Sequence, residues 1–356
     1  MDERDDRRFL RETWPQIVPA AMDERVQKPL PTSLFFGSLW ALCAAAALVW
    51  PSEAAAFDQN ALPTPFANNY GELETTRSAA MGGALRSMGN GTTGIFLNPA
   101  ATALTRIYHL EGILQATPEA EKIMAGGVVV DSILNSFGLA GGIAVLGGFF
   151  DPSGVDWTTI DVRAGLGYAL TEKFFLGIGP RYANLAQGRE DGVPEGTPQD
   201  ARTLYFSAFS LDAGLIVKPT DSLFISIVGQ NLVGTRRGVY PTTVGGGIGF
   251  GTEDFSLEVD GLADIGSYAG ARARVMAGGE LLVADHFPIR VGYRFDQGAS
   301  LHALSAGLGY VGTEFSIEAS VRRSLSSPGT TTIVVGLAYF LESTELLRSA
   351  LEGGLR

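Results

Sequence analysis

Runs of about ten to fourteen residues in which apolar and polar side chains strictly alternate limit most sharply what this chain can fold into. In 158–170, Ile160, Val162, Ala164, Leu166, Tyr168 and Leu170 share one face, and Asp161, Arg163, Gly165, Gly167 and Ala169 the other. In 255–265, Phe255, Leu257, Val259, Ala263 and Ile265 oppose Ser256, Glu258, Asp260 and Asp264. Ile289, Val291, Tyr293 and Phe295 oppose Arg290, Gly292, Arg294 and Asp296, and Phe315, Ile317, Ala319 and Val321 oppose Glu314, Ser316, Glu318, Ser320 and Arg322. A period of two means strands with one apolar and one charged face. A soluble sandwich alternates too, but its strands are usually about 5–6 residues long. The longer runs suit strands that cross a bilayer at a tilt.

Such runs fall near 106–117, 122–133, 139–150, 157–170, 174–188, 202–218, 223–234, 242–252, 255–265, 271–284, 287–296, 302–311, 314–325 and 330–341. That is an even set, as a closed bacterial barrel requires. Tight links, such as 171–173, 219–222, 253–254, 285–286 and 312–313, alternate with longer ones at 151–156, 187–201, 234–241, 266–270, 297–301 and 326–329. Short turns at one end and longer loops at the other are the pattern of a transmembrane barrel. No fixed sequence period points to a propeller. The chain has 46 glycines in 356 residues, nearly twice the usual share. They recur inside the strands, where they relieve crowding in a tilted, curved sheet. The net charge of −12 argues against nucleic acid as a partner.

The N-terminus reads as an export signal. Arg25 and Lys28 precede the apolar run 34–50, Pro51 ends it, and Ala54-Ala55-Ala56 offers a small-residue cleavage site. A retained anchor is the competing reading by length, and the cleavage site favours removal near Ala56. Residues 22–56 are then the signal peptide and 1–21 a gene-start artefact, with Met22 as the true start. The only cysteine, Cys43, lies inside the signal, so the mature chain has no disulfide and must draw stability from another source, such as barrel closure.

Between signal and strands lies 57–105, a small-residue segment with an apolar knot: Thr93-Gly94-Ile95-Phe96-Leu97-Asn98-Pro99-Ala100. Asn98 as cap and Pro99 as first helical residue start a short helix over 100–104. Gly82, Gly83, Gly89 and Gly91 allow close approach to a wall. The order of signal, Gly-rich Asn-Pro-Ala segment and alternating strands resembles the FadL-like long-chain fatty-acid transporters and the related PorV-type barrels. Asp212-Ala213-Gly214-Leu215, Val228-Gly229-Gln230-Asn231-Leu232, Tyr240-Pro241-Thr242-Thr243-Val244, Arg290-Val291-Gly292-Tyr293-Arg294 and Ser305-Ala306-Gly307-Leu308-Gly309-Tyr310 extend the resemblance over most of 75–341.

The resemblance implies a Gram-negative outer-membrane barrel with an N-terminal hatch. It also implies passive transport of a hydrophobic small molecule past Ile95, Phe96, Leu97, Asn98, Pro99 and Ala100. FadL-like barrels release cargo through an inward kink in the third strand. Here Gly141-Gly142 and Gly147-Gly148 interrupt that strand, and paired glycines permit a kink or bulge. The alternative is a PorV-like carrier or assembly partner for secreted proteins. Outer-membrane lipid and the barrel assembly machinery are the other expected partners.

Motifs for chemistry are weak. Gly307-Leu308-Gly309-Tyr310-Val311-Gly312 matches a dinucleotide fingerprint, but a strand follows where a helix is needed. Gly245–Gly251 lacks the Lys-Ser/Thr of a phosphate loop. His109, His286 and His302 lack metal-ligand spacing, and there is no G-x-S-x-G. Asp161, Arg163, Asp212, Glu258, Asp260, Arg272, Arg274, Arg290, Arg294, Glu318 and Arg322 mix both signs and read as a charge network inside the barrel. The expectation is an all-β transmembrane antiparallel barrel of about fourteen strands, 106–341, with hatch 57–105 and tail 342–356. It is a non-enzyme with no cofactor and no metal.

Overall fold

The computed structural model describes residues 73–133, 138–150, 157–187, 205–233, 241–266, 268, 270–326 and 329–342. Fourteen antiparallel strands form a closed barrel. They are β1 Ile107–Thr117, β2 Lys122–Asp131, β3 Leu139–Phe150, β4 Trp157–Thr171, β5 Phe174–Gln187, β6 Tyr205–Val217 and β7 Leu223–Gln230. The second half is β8 Thr243–Gly251, β9 Phe255–Asp264, β10 Arg272–Val283, β11 Phe287–Asp296, β12 Leu301–Val311, β13 Phe315–Ser324 and β14 Thr331–Glu342. Each strand pairs with its sequence neighbours, and β1 closes on β14 from Ile107↔Glu342 to Ala116↔Ile333. Closure leaves no free sheet edge, which lipid would not tolerate.

The alternation sorts the side chains as the sequence implies. Asp161, Arg163, Glu258, Asp260, Arg290 and Arg294 are buried inside, while Ile248, Val291 and Leu308 stand out at 59–68 % exposure. A continuous apolar band of this kind requires a hydrocarbon solvent. No described helix is long and apolar enough to cross a membrane; the strands do so. Aromatic rings gather on the outer face at both ends of the strands. Phe287, Tyr310 and Phe315 lie with His286 at the short-turn end, and Tyr293 and Phe295 with His302 at the long-loop end. Such girdles mark the two membrane–water interfaces.

The third strand, where the paired glycines suggested a kink or bulge, keeps an unbroken ladder. β3 pairs without a register shift on both flanks, from Ile123↔Phe149 to Asp131↔Gly141 with β2 and from Leu139↔Tyr168 to Phe150↔Trp157 with β4. Among the described residues the register shifts between β4 and β5, at Ala169/Thr171. Arg272 also departs from the expected network: it is exposed at the rim, its guanidinium 5.9 Å from the Tyr268 ring centre. The expected signal peptide, the first residues of the hatch, the expected 187–201 loop beyond Gln187 and the tail beyond Glu342 lie outside the described residues.

Candidate functional site

Residues 73–105 thread the barrel interior as two short helices, α1 Thr76–Ala80 and α2 Thr92–Leu97, followed by a 3-10 helix, Pro99–Ala103. Almost the whole segment is buried. Short helices are marginal alone, so the barrel wall holds them. Thr75 caps α1, its side chain accepting from Ser78 N–H. Asn98 caps the 3-10 helix by accepting from Ala100 N–H at 3.1 Å, with Pro99 as the first helical residue. The Asn98 amide also donates to Arg86 C=O at 2.8 Å, tying the two halves of the hatch together.

Ion pairs bind the hatch to the wall. Glu74 meets Arg322 at 2.6 Å and Arg294 at 3.6 Å. Arg77 grips Glu280 with Nη2 at 2.8 Å and Nε at 3.1 Å. Arg86 meets Asp260 at 3.0 Å. Glu258 accepts the Ser87 and Met88 backbone N–H groups at 2.5 and 3.0 Å. In the wall itself, Arg163 and Arg181 share Asp161, Arg274 bridges Asp264 and Asp296, and Arg290 bridges Glu280 and Glu318. Opposite charges are thus matched within the lumen, as burial demands, and the mixed-sign residues form a network.

The glycines of the inner face have a second role that composition did not reveal. A methyl group added at Gly142 or Gly165 would press on Ile95 Cδ1, at 2.8 and 2.7 Å respectively. One at Gly177 would overlap Pro99 and Ala100, and one at Gly214 the Asn98 amide. Gly142 and Gly165 are directly paired across β3 and β4. The hatch signature therefore rests on a floor of bare backbone, and Gly142 leaves room for Ile95 while its strand keeps an unbroken ladder.

Ile95, Phe96 and Leu97 are all buried. Phe96 C=O accepts from Arg163 at 3.1 Å and Gln230 at 3.0 Å, and the Arg163 guanidinium lies 5.3 Å from the Phe96 ring centre. Two cavities border α2. One, of about 90 Å³, is lined at the short-turn end by Thr92, Thr93, His109, Glu111, Glu318 and Phe340. The other, of about 60 Å³, lies toward the loops and is lined by Phe96, Leu97, Arg181, Asp212, Gln230 and Asn231, among others. The apolar knot sits between them, so the hatch must yield before a larger molecule passes. Sequence reasoning missed Glu74, Arg77, Arg86, Glu111, Arg181 and Glu280. Arg181 and Glu280 were legible from parity, since each continues an inward file, Gly177-Gly179-Arg181 and Met276-Gly278-Glu280.

Asn98→Ala should loosen the hatch and leave the barrel closed. It removes a cap worth about 1 kcal/mol and leaves the buried Arg86 carbonyl without this donor, a further cost of about 1–3 kcal/mol. Limited proteolysis in detergent should then cut within 73–105 faster than in the native protein, with the folded-barrel gel mobility kept. An unchanged digestion rate would show that Asn98 does not hold the segment.

No protein-family model matches the sequence, and no curated protein matches it. Solved structures do. The CymD monoaromatic hydrocarbon channel aligns with TM-score 0.56 at 13 % identity, over 77 % of this chain and 98 % of its own. The Ralstonia pickettii toluene transporter TbuX aligns with TM-score 0.54 at 13 % identity, over 76 % and 98 %. A Pseudomonas aeruginosa FadL homologue aligns with TM-score 0.54 at 14 % identity, over 76 % and 98 %. At such identities the likeness fixes the fold: this chain has the architecture of these outer-membrane barrels.

Proposed function

We propose that this barrel is a passive channel of the Gram-negative outer membrane for hydrophobic small molecules. The observation that carries the reading is the buried apolar knot Ile95-Phe96-Leu97, set between two cavities and packed in one apolar cluster with Leu85, Val128, Val130 and Leu146. A water-filled pore needs an open polar lumen; here a segment of the chain occupies it. The structural neighbours named for monoaromatic hydrocarbon and toluene transport support the cargo class. The apolar outer band supports lipid as the surrounding solvent, and export with cleavage near Ala56 supplies the route there. Assembly by the barrel machinery belongs to the same reading. Ile95, Phe96, Leu97, Asn98, Pro99 and Ala100 are the hatch residues past which cargo moves.

The test is uptake of radiolabelled toluene by Gram-negative cells that lack their own hydrophobic channels. Cells carrying the barrel should take up toluene several-fold faster than cells without it, while entry of glycerol, a small hydrophilic solute, stays unchanged. Equal toluene uptake, or faster entry of both solutes, would reject a hydrophobic channel.

A further inference from the structure

The cavity at the short-turn end lies between the hatch and the inner faces of β1, β13 and β14. Its lining is split in chemistry. Ile107, Ala338 and Phe340 are apolar, whereas Thr105, His109 and Glu111 carry polar groups. Thr92 of the hatch orients both polar residues of β1. Its N–H faces His109 Nδ1 at 3.5 Å, and its Oγ1 donates to Glu111 at 2.5 Å. Nδ1 is then the acceptor of a neutral ring, whose proton sits on Nε2. Phe340 packs edge-on against the imidazole, with ring centres 5.2 Å apart. His109 and Glu111 stand two residues apart on the inner face of β1, a spacing of about 7 Å.

Two residues of this lining carry orphaned atoms. His109 Nε2 and Thr105 Oγ1 are buried with no hydrogen-bond partner among the described residues. Buried polar atoms are nearly always paired, so two orphans at one cavity mark a place for a guest with a polar group. The guest is uncharged. Arg77 lines the same cavity and opposes a cation, while Glu111 and Glu318 oppose an anion. Among the described residues no group of acids, histidines or cysteines could hold a metal ion. The cavity, about 90 Å³, is smaller than the ~150 Å³ void that seats a benzene. Ile107, His109 and Phe340 are only partly buried, so a ring seated here extends between them into the mouth.

We propose that this cavity is a binding site for a phenol, whose hydroxyl accepts from His109 Nε2–H and donates to the Glu111 carboxyl while its ring lies against Phe340. A carboxyl has acceptor capacity beyond the one bond from Thr92, and an aromatic guest adds a ring contact to Phe340. A plain hydrocarbon would leave His109 Nε2 unpaired, so the site selects for the hydroxyl, as sites built from buried polar groups do. The proposal deepens the channel reading by naming a hydroxylated aromatic as cargo. It rests on that reading only for the route by which the molecule arrives.

Crystals soaked in 4-bromophenol or in 4-bromoanisole test this through the anomalous signal of bromine. The methyl ether keeps ring and bromine but has no proton to donate. 4-Bromophenol should place bromine beside Phe340 in the mouth of the cavity, and 4-bromoanisole should place none there. Equilibrium dialysis of radiolabelled phenol against the detergent-folded barrel, with protein-free micelles as the blank, gives the affinity. His109→Phe keeps an aromatic ring and loses the donor, so phenol should bind about threefold to tenfold more weakly. Glu111→Gln is nearly isosteric and exchanges the carboxyl for a weaker amide acceptor, so it should weaken binding too. Water alone in the cavity, equal occupancy by both bromo compounds, or native affinity in both folded variants would overturn the site. The soak is independent of transport. Bromine here in a barrel that carries no toluene keeps the site and removes the channel. A barrel that carries toluene but leaves this cavity free of bromine keeps the channel and removes the site.

Discussion

Replacing Arg290 by Met should destabilise the barrel by about 3–5 kcal/mol, the usual cost of breaking a buried ion pair from one side. Arg290 is 1 % exposed and bridges two strands, with Nε at 2.5 Å from Glu280 and Nη1 at 2.6 Å from Glu318. Glu280 also anchors the hatch through Arg77, so the substitution unsettles wall and hatch together. Urea titration of the detergent-folded protein, followed by heat-modifiable gel mobility, would measure the loss. Adding Glu318→Gln should recover part of it, because the second change removes a charge left without its partner. A variant as stable as the native protein would mean that this network carries no structural weight.

Val162→Arg should impair assembly by roughly 2–4 kcal/mol if the outer face meets hydrocarbon near mid-depth. Val162 points outward between Val145 of β3 and Tyr182 of β5. Its neighbour Arg163 points inward, to Asp161 and Phe96 C=O. In Arg163→Ser, Asp161 keeps Arg181 as a partner, so the loss should fall mainly on the hold over the hatch. The folded, heat-modifiable fraction recovered from outer membranes should drop far more for Val162→Arg than for Arg163→Ser. Equal recovery would place the apolar face outside lipid.

The strands were legible because membrane and lumen impose opposite chemistries on alternate residues. A file such as Leu257-Val259 against Glu258-Asp260 therefore declares its own facing. Where the ladder ended early, the reason lay in tertiary contacts. The expected 223–234 strand stops at Gln230 because Asn231 turns inward, held in a left-handed conformation by Asp212, Arg181 and Pro241. The Asn98-Pro99 helix start was legible from local rules of capping. The seats beneath it were not. Four strands lie between the hatch and Gly177 in β5, and five between it and Gly214 in β6, and a glycine that makes room for a distant segment looks in sequence like one that eases curvature. The same holds for Gly142: paired glycines suggested a kink or bulge, and the room this one leaves for Ile95 had no signal in the sequence. Arg77 and Glu280 lie 203 positions apart, and only barrel closure brings them together.

A hydrophobic molecule should occupy the loop-side cavity above the apolar knot of the hatch. Crystals of the mature barrel soaked in bromobenzene would test it through the anomalous signal of bromine. A bromine peak is expected over Phe96 and Leu97, beside Asn231, and it should be lost when a bulkier side chain fills the cavity, as in Leu262→Trp. Bromine found only against the outer aromatic girdles or beside His109 at the short-turn end, with the loop-side cavity empty, would contradict it.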